Sequence, residues 1–312
     1  MEPTSAPAAQ KKPRSSRPSL DDMALPIGKR VRLHRLYYES GLRNGTLMIL
    51  PIDQGLEHGP VDFFVNPDAA DPDFQWRLAA EGKYNGVACH YGLARKYMEK
   101  YAGRVPLILK LNGKTGVPSD DEPLSTLTGT VEDAVALGAD AVGYTLYLGS
   151  PRQDEDIQQM AMVREECDKW SMPLIVWGYP RGAAMEVKGG RDSLYAIDYA
   201  ARVALELGAD IVKLNLPKRG AKDDKQPKEY ASLEWTAEQG AARIVKSAGR
   251  VPVLVSGGSK LGDDDLIAKT RVSMEAGAVG LIFGRNMWQR PFDEALAATE
   301  RVQKEVLAHF PG

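Results

Sequence analysis

The sequence has few of the residues that indicate a disulfide framework and no segment that indicates a membrane span. Only two cysteines occur among 312 residues, Cys89 and Cys167, and they stand in no CxxC spacing. Both are therefore predicted to be reduced thiols in a cytoplasmic protein. No apolar run approaches the roughly 20 residues of a membrane helix, and the N-terminus lacks the apolar core of a secretory signal.

The sequence also lacks an excess of either charge and a histidine set suited to a metal. There are 40 Lys and Arg residues against 42 Asp and Glu residues, so no global field favours nucleic acid or a membrane surface. Of the four histidines, His34 and His309 lie towards the two ends of the chain, which leaves His58 and His90 as scattered candidates. Because a catalytic zinc usually takes three protein ligands rich in histidine, no metal site is predicted.

The sequence contains a repeated alternation of short apolar runs and longer amphipathic stretches. The eight runs are TLMILPID, GVACH, LILKL, AVGYTLY, PLIVWGYP, DIVKLNLP, PVLVSGG and VGLIFG. The stretches between them show apolar residues at helical spacing and often end in a glycine just before the next run. Many open dinucleotide-binding sheets have a GxGxxG turn after the first strand, and this sequence has none after its first run. Eight βα units therefore predict a parallel (β/α)8 TIM barrel.

The barrel is predicted to form a single domain over residues 27–312. Residues 1–26 are rich in Pro, Ser, Ala and basic residues, and they offer too little apolar burial to offset the entropy of ordering, so a disordered tail is predicted there. The charged segment PKRGAKDDKQPKEYASLEW after the sixth run is interpreted as a solvated insertion rather than a lid.

One apolar run carries a lysine at its centre. In DIVKLNLP, the period-two alternation of a strand directs Lys213 and Asn215 into the barrel and the neighbouring Val and Leu residues outward. Burial lowers the pKa of a lysine, and a neutral amine is a nucleophile towards carbonyl groups. Two interpretations stay open at this point: a catalytic nucleophile, or a structural lysine paired with an acid such as Asp53.

Other polar residues stand where strands end, and active sites of such barrels lie at the C-terminal ends of the strands. Alternation in PLIVWGYP places Trp177 and Tyr179 in the barrel mouth. Asp53 ends the first strand and is followed by His58 in a glycine-containing loop. A carboxylate there is suited to orienting hydroxyls or moving protons, and the histidine to holding a phosphate or a hydroxyl.

Glycine-containing loops follow the seventh and eighth strands. Glycines let backbone amides approach an anion closely, and this pair of loops is a recurrent phosphate site in such barrels. Tight turns alone would explain the glycines but not the arginine beside them. The predicted phosphate cradle consists of Ser256, Gly257, Gly258, Gly284 and Arg285.

Four segments together resemble the archaeal-type class I fructose-bisphosphate aldolases of the Schiff-base barrel superfamily. They are ILPIDQGLEHGP, VWGYPRG, LGADIVKLN, and VLVSGG followed by FGRNMWQ, and the resemblance extends over residues 30–305. It implies that Lys213 forms the Schiff base, that Tyr179 is the acid/base group and that Asp53 lies near the substrate hydroxyls. Many members have DHG where this chain has DQG, so any role of that histidine is expected to be lost or taken over by Gln54.

The remaining matches imply substrate contacts. These residues are His58, Trp177, Arg181, Asn215, Ser256, Gly257, Gly258, Gly284 and Arg285. The resemblance implies reversible cleavage of fructose 1,6-bisphosphate to dihydroxyacetone phosphate and glyceraldehyde 3-phosphate in a homo-oligomer, with no metal or organic cofactor. Two alternatives stay open: a Schiff-base aldolase or synthase acting on another phosphorylated keto compound, and a non-enzymatic phosphate-binding barrel.

Overall fold

The computed structural model describes residues 17–258 and 260–312, and eight parallel strands in it close into a barrel. The strands are β1 (Leu47–Pro51), β2 (Gly86–His90), β3 (Leu107–Lys110), β4 (Ala141–Leu148), β5 (Leu174–Pro180), β6 (Ile211–Leu214), β7 (Val253–Ser256) and β8 (Gly280–Ile282). Each strand pairs with its neighbour in the chain, and β8 pairs with β1. All eight predicted strands are present, and the predicted (β/α)8 TIM barrel is confirmed.

One main helix follows each strand and covers the outside of the barrel. These helices are Asp73–Glu81, Tyr91–Tyr97, Val131–Ala136, Gln153–Lys169, Leu194–Glu206, Ala237–Ala248, Asp263–Glu275 and Phe292–Glu305. Shorter helices lie at Gln54–His58, Ala183–Glu186, Lys228–Ala231 and Arg285–Trp288, and 3-10 turns lie at Gly59–Phe63, Pro67–Ala70, Glu99–Tyr101, Asp223–Lys225 and Leu307–His309. Two-residue strands, Asn112–Gly113 and Thr126–Leu127, form an antiparallel ribbon in the loop after β3.

Strand alternation divides the buried side chains into two layers. The barrel interior takes one residue from each strand: Ile49, Ala88, Ile108, Ala141, Ile175, Ile211, Leu254 and Ile282. The residues that follow or precede them pack outward against the helices: Leu50, Val87, Leu109, Val142, Val176, Val212, Val255 and Leu281. Apolar side chains therefore fill the middle of the barrel. The C-terminal ends of the strands lie beyond this layer, where polar side chains are able to reach solvent.

A leading helix, Ile27–His34, and the π-helical turn Arg35–Glu39 close the N-terminal end of the barrel. Lys29 is buried there and forms ion pairs with Asp168 at 2.8 Å and Asp210 at 2.9 Å. Because Asp210 directly precedes β6, this contact fixes the helix against the starts of the strands. Within the described part of the chain, no helix is long and apolar enough to cross a membrane.

The region predicted as a disordered tail is described only from residue 17 onward. Residues 1–16 lie outside the described residues. Leu20 is 6% exposed and packs with the leading helix, and Met23 and Leu25 contact the same interior cluster. The last part of the predicted tail therefore lies against the barrel, because three apolar side chains provide burial that the composition of the whole segment conceals.

Candidate active site

Polar side chains from five of the eight strands or their following loops line one open cavity of about 130 Å³ at the C-terminal end of the barrel. Its lining includes Asp53, His58, Trp177, Tyr179, Arg181, Lys213, Asn215, Ser256, Gly257, Gly258, Gly284 and Arg285. The structure thus brings together these sequence-predicted site residues. The side chain of Gln54 lies outside what the structure describes, and its substrate contact stays a prediction.

Lys213 is the third residue of β6, and its side chain is directed inward as the alternation predicted. The residue is only 5% exposed. Its Nζ lies 5.0 Å from the centre of the Trp177 ring and 5.2 Å from that of Tyr179. Within the described residues, the amine has no hydrogen-bond or ion-pair partner, so it is not the salt-bridged structural lysine of the alternative interpretation.

The environment of Lys213 increases the neutral fraction of its amine above that of an exposed lysine. Burial lowers the pKa of Lys213 to about 8, although the nearby carboxylates of Asp53 and Glu57 oppose this shift and Arg285 adds to it. A lysine with this pKa is partly unprotonated near neutral pH. The structure therefore provides a desolvated nucleophile at the cavity wall.

Trp177 and Tyr179 lie on β5, two and four positions after the interior residue Ile175, so strand alternation directs both side chains inward. Gly143 of the neighbouring strand makes room for the indole, because a Cβ there would lie 2.6 Å from the Trp177 ring. Burial raises the pKa of Tyr179, and the carboxylates of Glu57 and Asp53 add to this effect. Tyr179 is thus held as a neutral phenol that is able to donate a proton.

An acidic and basic rim follows β1. Asp53 comes just after the strand, and Glu57, which the sequence reading did not select, lines the same cavity. His58 lies 2.7 Å from Asp62 through its Nδ1 atom, and the guanidinium of Arg285 lies 3.9 Å from the same carboxylate. This network connects the loop after β1 to the loop after β8 across the cavity mouth.

The two glycine-containing loops form one wall of the cavity. The Ser256 hydroxyl donates a hydrogen bond to the Asn215 side-chain oxygen. Arg285 donates to the Gly258 carbonyl at 3.3 Å. The helices that follow offer little to an anion, because Arg285–Trp288 is a single turn and the helix after β7 begins only at Asp263 with acidic residues in its first turn. The groups available to an anion at this wall are therefore loop amides and Arg285.

A second buried lysine lies beside the cavity and was missed in the sequence reading. Lys110 ends β3 and is 2% exposed, and its Nζ donates to the Thr145 hydroxyl at 2.6 Å and to the Asn112 carbonyl at 2.9 Å. Burial lowers its pKa to about 8, with Lys213 also contributing. Its Nζ lies 5.1 Å from the Trp177 ring. The available signal was LILKL, which has the same lysine within an apolar strand as DIVKLNLP.

Beyond Lys110, a narrow side pocket continues from the main cavity past Asp53 and Glu57 to His90. Burial lowers the pKa of His90 to about 4, and the positive charge of Lys110 contributes to this effect. The imidazole is therefore neutral at physiological pH. In the described portions, 17–258 and 260–312, no group of three His, Cys, Asp or Glu residues is arranged to hold a metal ion. Metal-independent catalysis stays a prediction.

Known proteins are similar to this chain over nearly all of the barrel. The profile of the DeoC/LacD family aldolases matches residues 47–290. A protein of Thermoproteus tenax named fructose-bisphosphate aldolase class 1 is 43% identical over 249 residues, which cover 80% of this chain and 85% of the relative. A protein of the same name from Halobacterium salinarum is 38% identical over 248 residues, with 80% and 86% coverage.

Solved structures give the same result. An archaeal fructose-1,6-bisphosphate aldolase, solved with its catalytic Lys covalently bound to the carbinolamine intermediate of the substrate, is 39% identical and has a TM-score of 0.74. The alignment covers 88% of this chain and 99% of that one. The chain therefore belongs to the DeoC/LacD family of aldolases, as the resemblance to the archaeal-type class I fructose-bisphosphate aldolases predicted.

Proposed function

We propose that this protein is a class I fructose-bisphosphate aldolase, a lyase that cleaves fructose 1,6-bisphosphate reversibly through a lysine Schiff base. The observation that carries this proposal is the Lys213 amine, which is buried, has no partner among the described residues and faces a cavity bounded by anion-binding loops. The relatives with the same name support the choice of substrate. The substrate is a small sugar phosphate.

In the cleavage direction, the neutral Lys213 amine attacks the C2 ketone and forms a carbinolamine, which loses water to give an iminium. The iminium accepts the electron pair of the C3–C4 bond as a carboxylate that lines the cavity takes the proton of the C4 hydroxyl, so glyceraldehyde 3-phosphate leaves and an enamine remains. Tyr179 donates the proton that returns to C3 and regains a proton from that carboxylate. Water then hydrolyses the resulting iminium, releasing dihydroxyacetone phosphate and the free amine.

The other residues bind and orient the substrate in this proposal. Asp53 orients the hydroxyls and stabilises the iminium charge, and its proximity to Lys213 favours a cationic intermediate at that nitrogen. One phosphate binds to the glycine loops after β7 and β8 beside Arg285. The other is contacted by Arg181 or His58, both of which line the cavity.

Lys213, rather than Lys110, is assigned the Schiff base on the basis of hydrogen bonding. The Lys110 amine donates to Thr145 and Asn112, and these acceptors stabilise its ammonium form and restrict its movement. Lys213 has no such acceptors in the described residues. Its lone pair is therefore available to a ketone in the cavity.

The proposed function is tested by reduction with borohydride in the presence of dihydroxyacetone phosphate. We expect a covalent three-carbon adduct, which mass spectrometry of peptides will locate at Lys213. Activity should persist after treatment with a chelator. A phosphate-binding barrel without activity would give no adduct, and activity that a chelator abolishes would contradict the Schiff-base mechanism. Comparison of cleavage rates among phosphorylated keto compounds tests the alternative substrates.

The rate of iminium formation at Lys213 is expected to depend on pH according to its lowered pKa. Because only the neutral amine attacks, the rate at subsaturating ketone should rise by about tenfold per pH unit well below pH 8 and level off above pH 8. Trapping with cyanoborohydride, followed by quantification of the modified peptide, measures this rate. A rate that continues to rise to pH 10.5 would indicate a lysine with an ordinary pKa and contradict the desolvated site.

Two further expectations complete the proposal. Homo-oligomeric assembly, implied by the resemblance, stays a prediction that light scattering checks. A cytoplasmic location is proposed from the two cysteines, Cys89 and Cys167, which are both buried as free thiols.

A further inference from the structure

A third lysine with a lowered pKa lies behind the glycine loop and is not part of the cavity lining. Lys269 belongs to the helix Asp263–Glu275, and its Nζ donates a hydrogen bond of 2.9 Å to the Gly257 carbonyl. Burial lowers the pKa of Lys269 to about 8, while Lys218 lowers it further and Asp192 opposes the shift. Lys269 is partly buried, and removing part of the water shell of an ammonium costs free energy that this contact with a backbone oxygen offsets.

The acidic residues of the same helix are engaged elsewhere. Asp263 pairs with Arg290 at 2.6 Å, and Asp264 pairs with Arg301 at 2.8 Å. Within the described residues, Lys269 has no carboxylate within ion-pair distance. Its contact with Gly257 is therefore not a by-product of a surface salt bridge.

The hydrogen bond from Lys269 to the Gly257 carbonyl also fixes the direction of the Gly258 N–H, because both groups belong to one planar peptide. In a trans peptide, the carbonyl of Gly257 and the N–H of Gly258 lie in one plane and point in opposite directions. Lys269 holds the carbonyl on the side of the helix, so the Gly258 N–H is directed to the other side. Gly257 and Gly258 both line the cavity, whereas Lys269 does not.

The neighbouring groups fix the same loop. The Gly257 N–H donates to the Ile282 carbonyl at 3.2 Å, and the Gly258 carbonyl accepts from Arg285 at 3.3 Å. A Cβ on Gly257 would lie 2.6 Å from Asn286. Both glycine carbonyls, which would repel an anion, thus accept hydrogen bonds from cations, and of the two glycine amides the described contacts leave that of Gly258 for the substrate.

We propose that Lys269 is a positioning residue for phosphate binding. It orients the Gly257–Gly258 peptide so that the Gly258 amide faces the phosphate of the substrate, and it takes no part in bond making or breaking. This inference rests on the proposed function, in which the glycine loops bind one phosphate of the sugar.

The test compares a phosphorylated ketone with one that lacks the phosphate, using the full chain. For Lys269→Met, we expect the KM for fructose 1,6-bisphosphate and the inhibition constant of inorganic phosphate each to rise about tenfold, the effect of losing one charge-assisted hydrogen bond. kcat should change by less than about twofold, because the reacting atoms are untouched. Borohydride trapping of unphosphorylated dihydroxyacetone at Lys213 should be unchanged.

Two further variants separate positioning from folding. Lys269→Arg should restore most of the phosphate affinity, because a guanidinium is also able to donate to the carbonyl. Lys246→Met, on the exposed side of the helix Ala237–Ala248, is the matched control and should match the parent. If Lys269→Met does not fold, the pair Lys269→Arg and Lys269→Gln gives the same comparison.

The inference is overturned if Lys269→Met leaves both phosphate-dependent constants unchanged, or if it impairs trapping of dihydroxyacetone as strongly as binding of the bisphosphate. Failure of the proposed function is distinguishable, since the parent protein would then form no adduct at Lys213 with either ketone.

Discussion

Replacement of Lys213 by methionine is expected to reduce fructose 1,6-bisphosphate cleavage by about 10⁴-fold or more, a loss typical of removing a covalent nucleophile. Methionine has a similar length and is apolar, so it fills the buried space beside Trp177 and Tyr179 without a charge. A coupled assay of triose phosphate release measures the activity. Mass spectrometry after borohydride reduction should show that the adduct is lost.

The matched control for this prediction is Lys110→Met. It makes the same chemical change at an equally buried lysine, at nearly the same distance from the Trp177 ring. We expect adduct formation at Lys213 to persist in this variant. An adduct that is lost from Lys110→Met and retained in Lys213→Met would transfer the Schiff base to β3 and refute the assignment.

Tyr179→Phe is expected to separate imine formation from proton transfer. Removing the phenol should lower kcat by about 10²- to 10³-fold, the range for a positioned general acid or base, while the borohydride adduct at Lys213 still forms. Exchange of the C3 hydrogen of dihydroxyacetone phosphate with deuterated solvent, followed by NMR, reports directly on the proton that Tyr179 is proposed to move.

Tyr147→Phe is the control for the loss of the phenol. Tyr147 lies opposite Tyr179 in the register of β4 and β5. Tyr147 is buried and Tyr179 partly buried, and Tyr147 does not line the main cavity. Its replacement should slow C3 exchange far less than that of Tyr179. Equal effects of the two variants would show that Tyr179 acts through packing rather than proton transfer.

Most of the barrel and of its mouth could be predicted from the sequence because both depend on short-range patterns. Period-two alternation decided which side of β5 and β6 faces inward, so the positions of Trp177, Tyr179 and Lys213 followed. The C-terminal ends of the strands then identified Asp53 and Arg285 as neighbours, since a closed parallel barrel brings all these ends together.

The missed residues depend on long side chains and on tertiary contacts. Lys110 carried the same signal as Lys213, but its hydrogen bonds to Thr145 and Asn112 bring together groups from β4 and the loop after β3. Lys269 lies on the helix after β7, where the amphipathic pattern does not reveal that a lysine stem reaches back to the preceding loop. Composition placed Leu20 in a disordered tail, but this single apolar side chain is buried against the leading helix.

The contacts of the charged segment 217–235 could not be predicted from the sequence either. Its length suggested an insertion, and none of its residues lines the main cavity. It packs on the helix Leu194–Glu206, where the Tyr230 hydroxyl donates to Asp198 at 2.8 Å and Gln226 accepts from the Tyr195 amide at 3.0 Å. These specific contacts involve polar side chains, which the hydrophobic pattern does not register.

The two buried amines in the barrel mouth, those of Lys110 and Lys213, are expected to lower the stability of the fold. For each lysine, the pKa falls from 10.5 in the unfolded chain to about 8 in the native state. Between these values the unfolded chain binds more protons, so resistance to denaturation should grow as the medium becomes more alkaline. At neutral pH both lysines are mostly protonated in the native state, so the native state bears most of the free-energy cost of burying their charges. Lys213→Met and Lys110→Met should therefore each melt at a higher temperature than the wild type, which is the trade-off between stability and activity found at many functional sites.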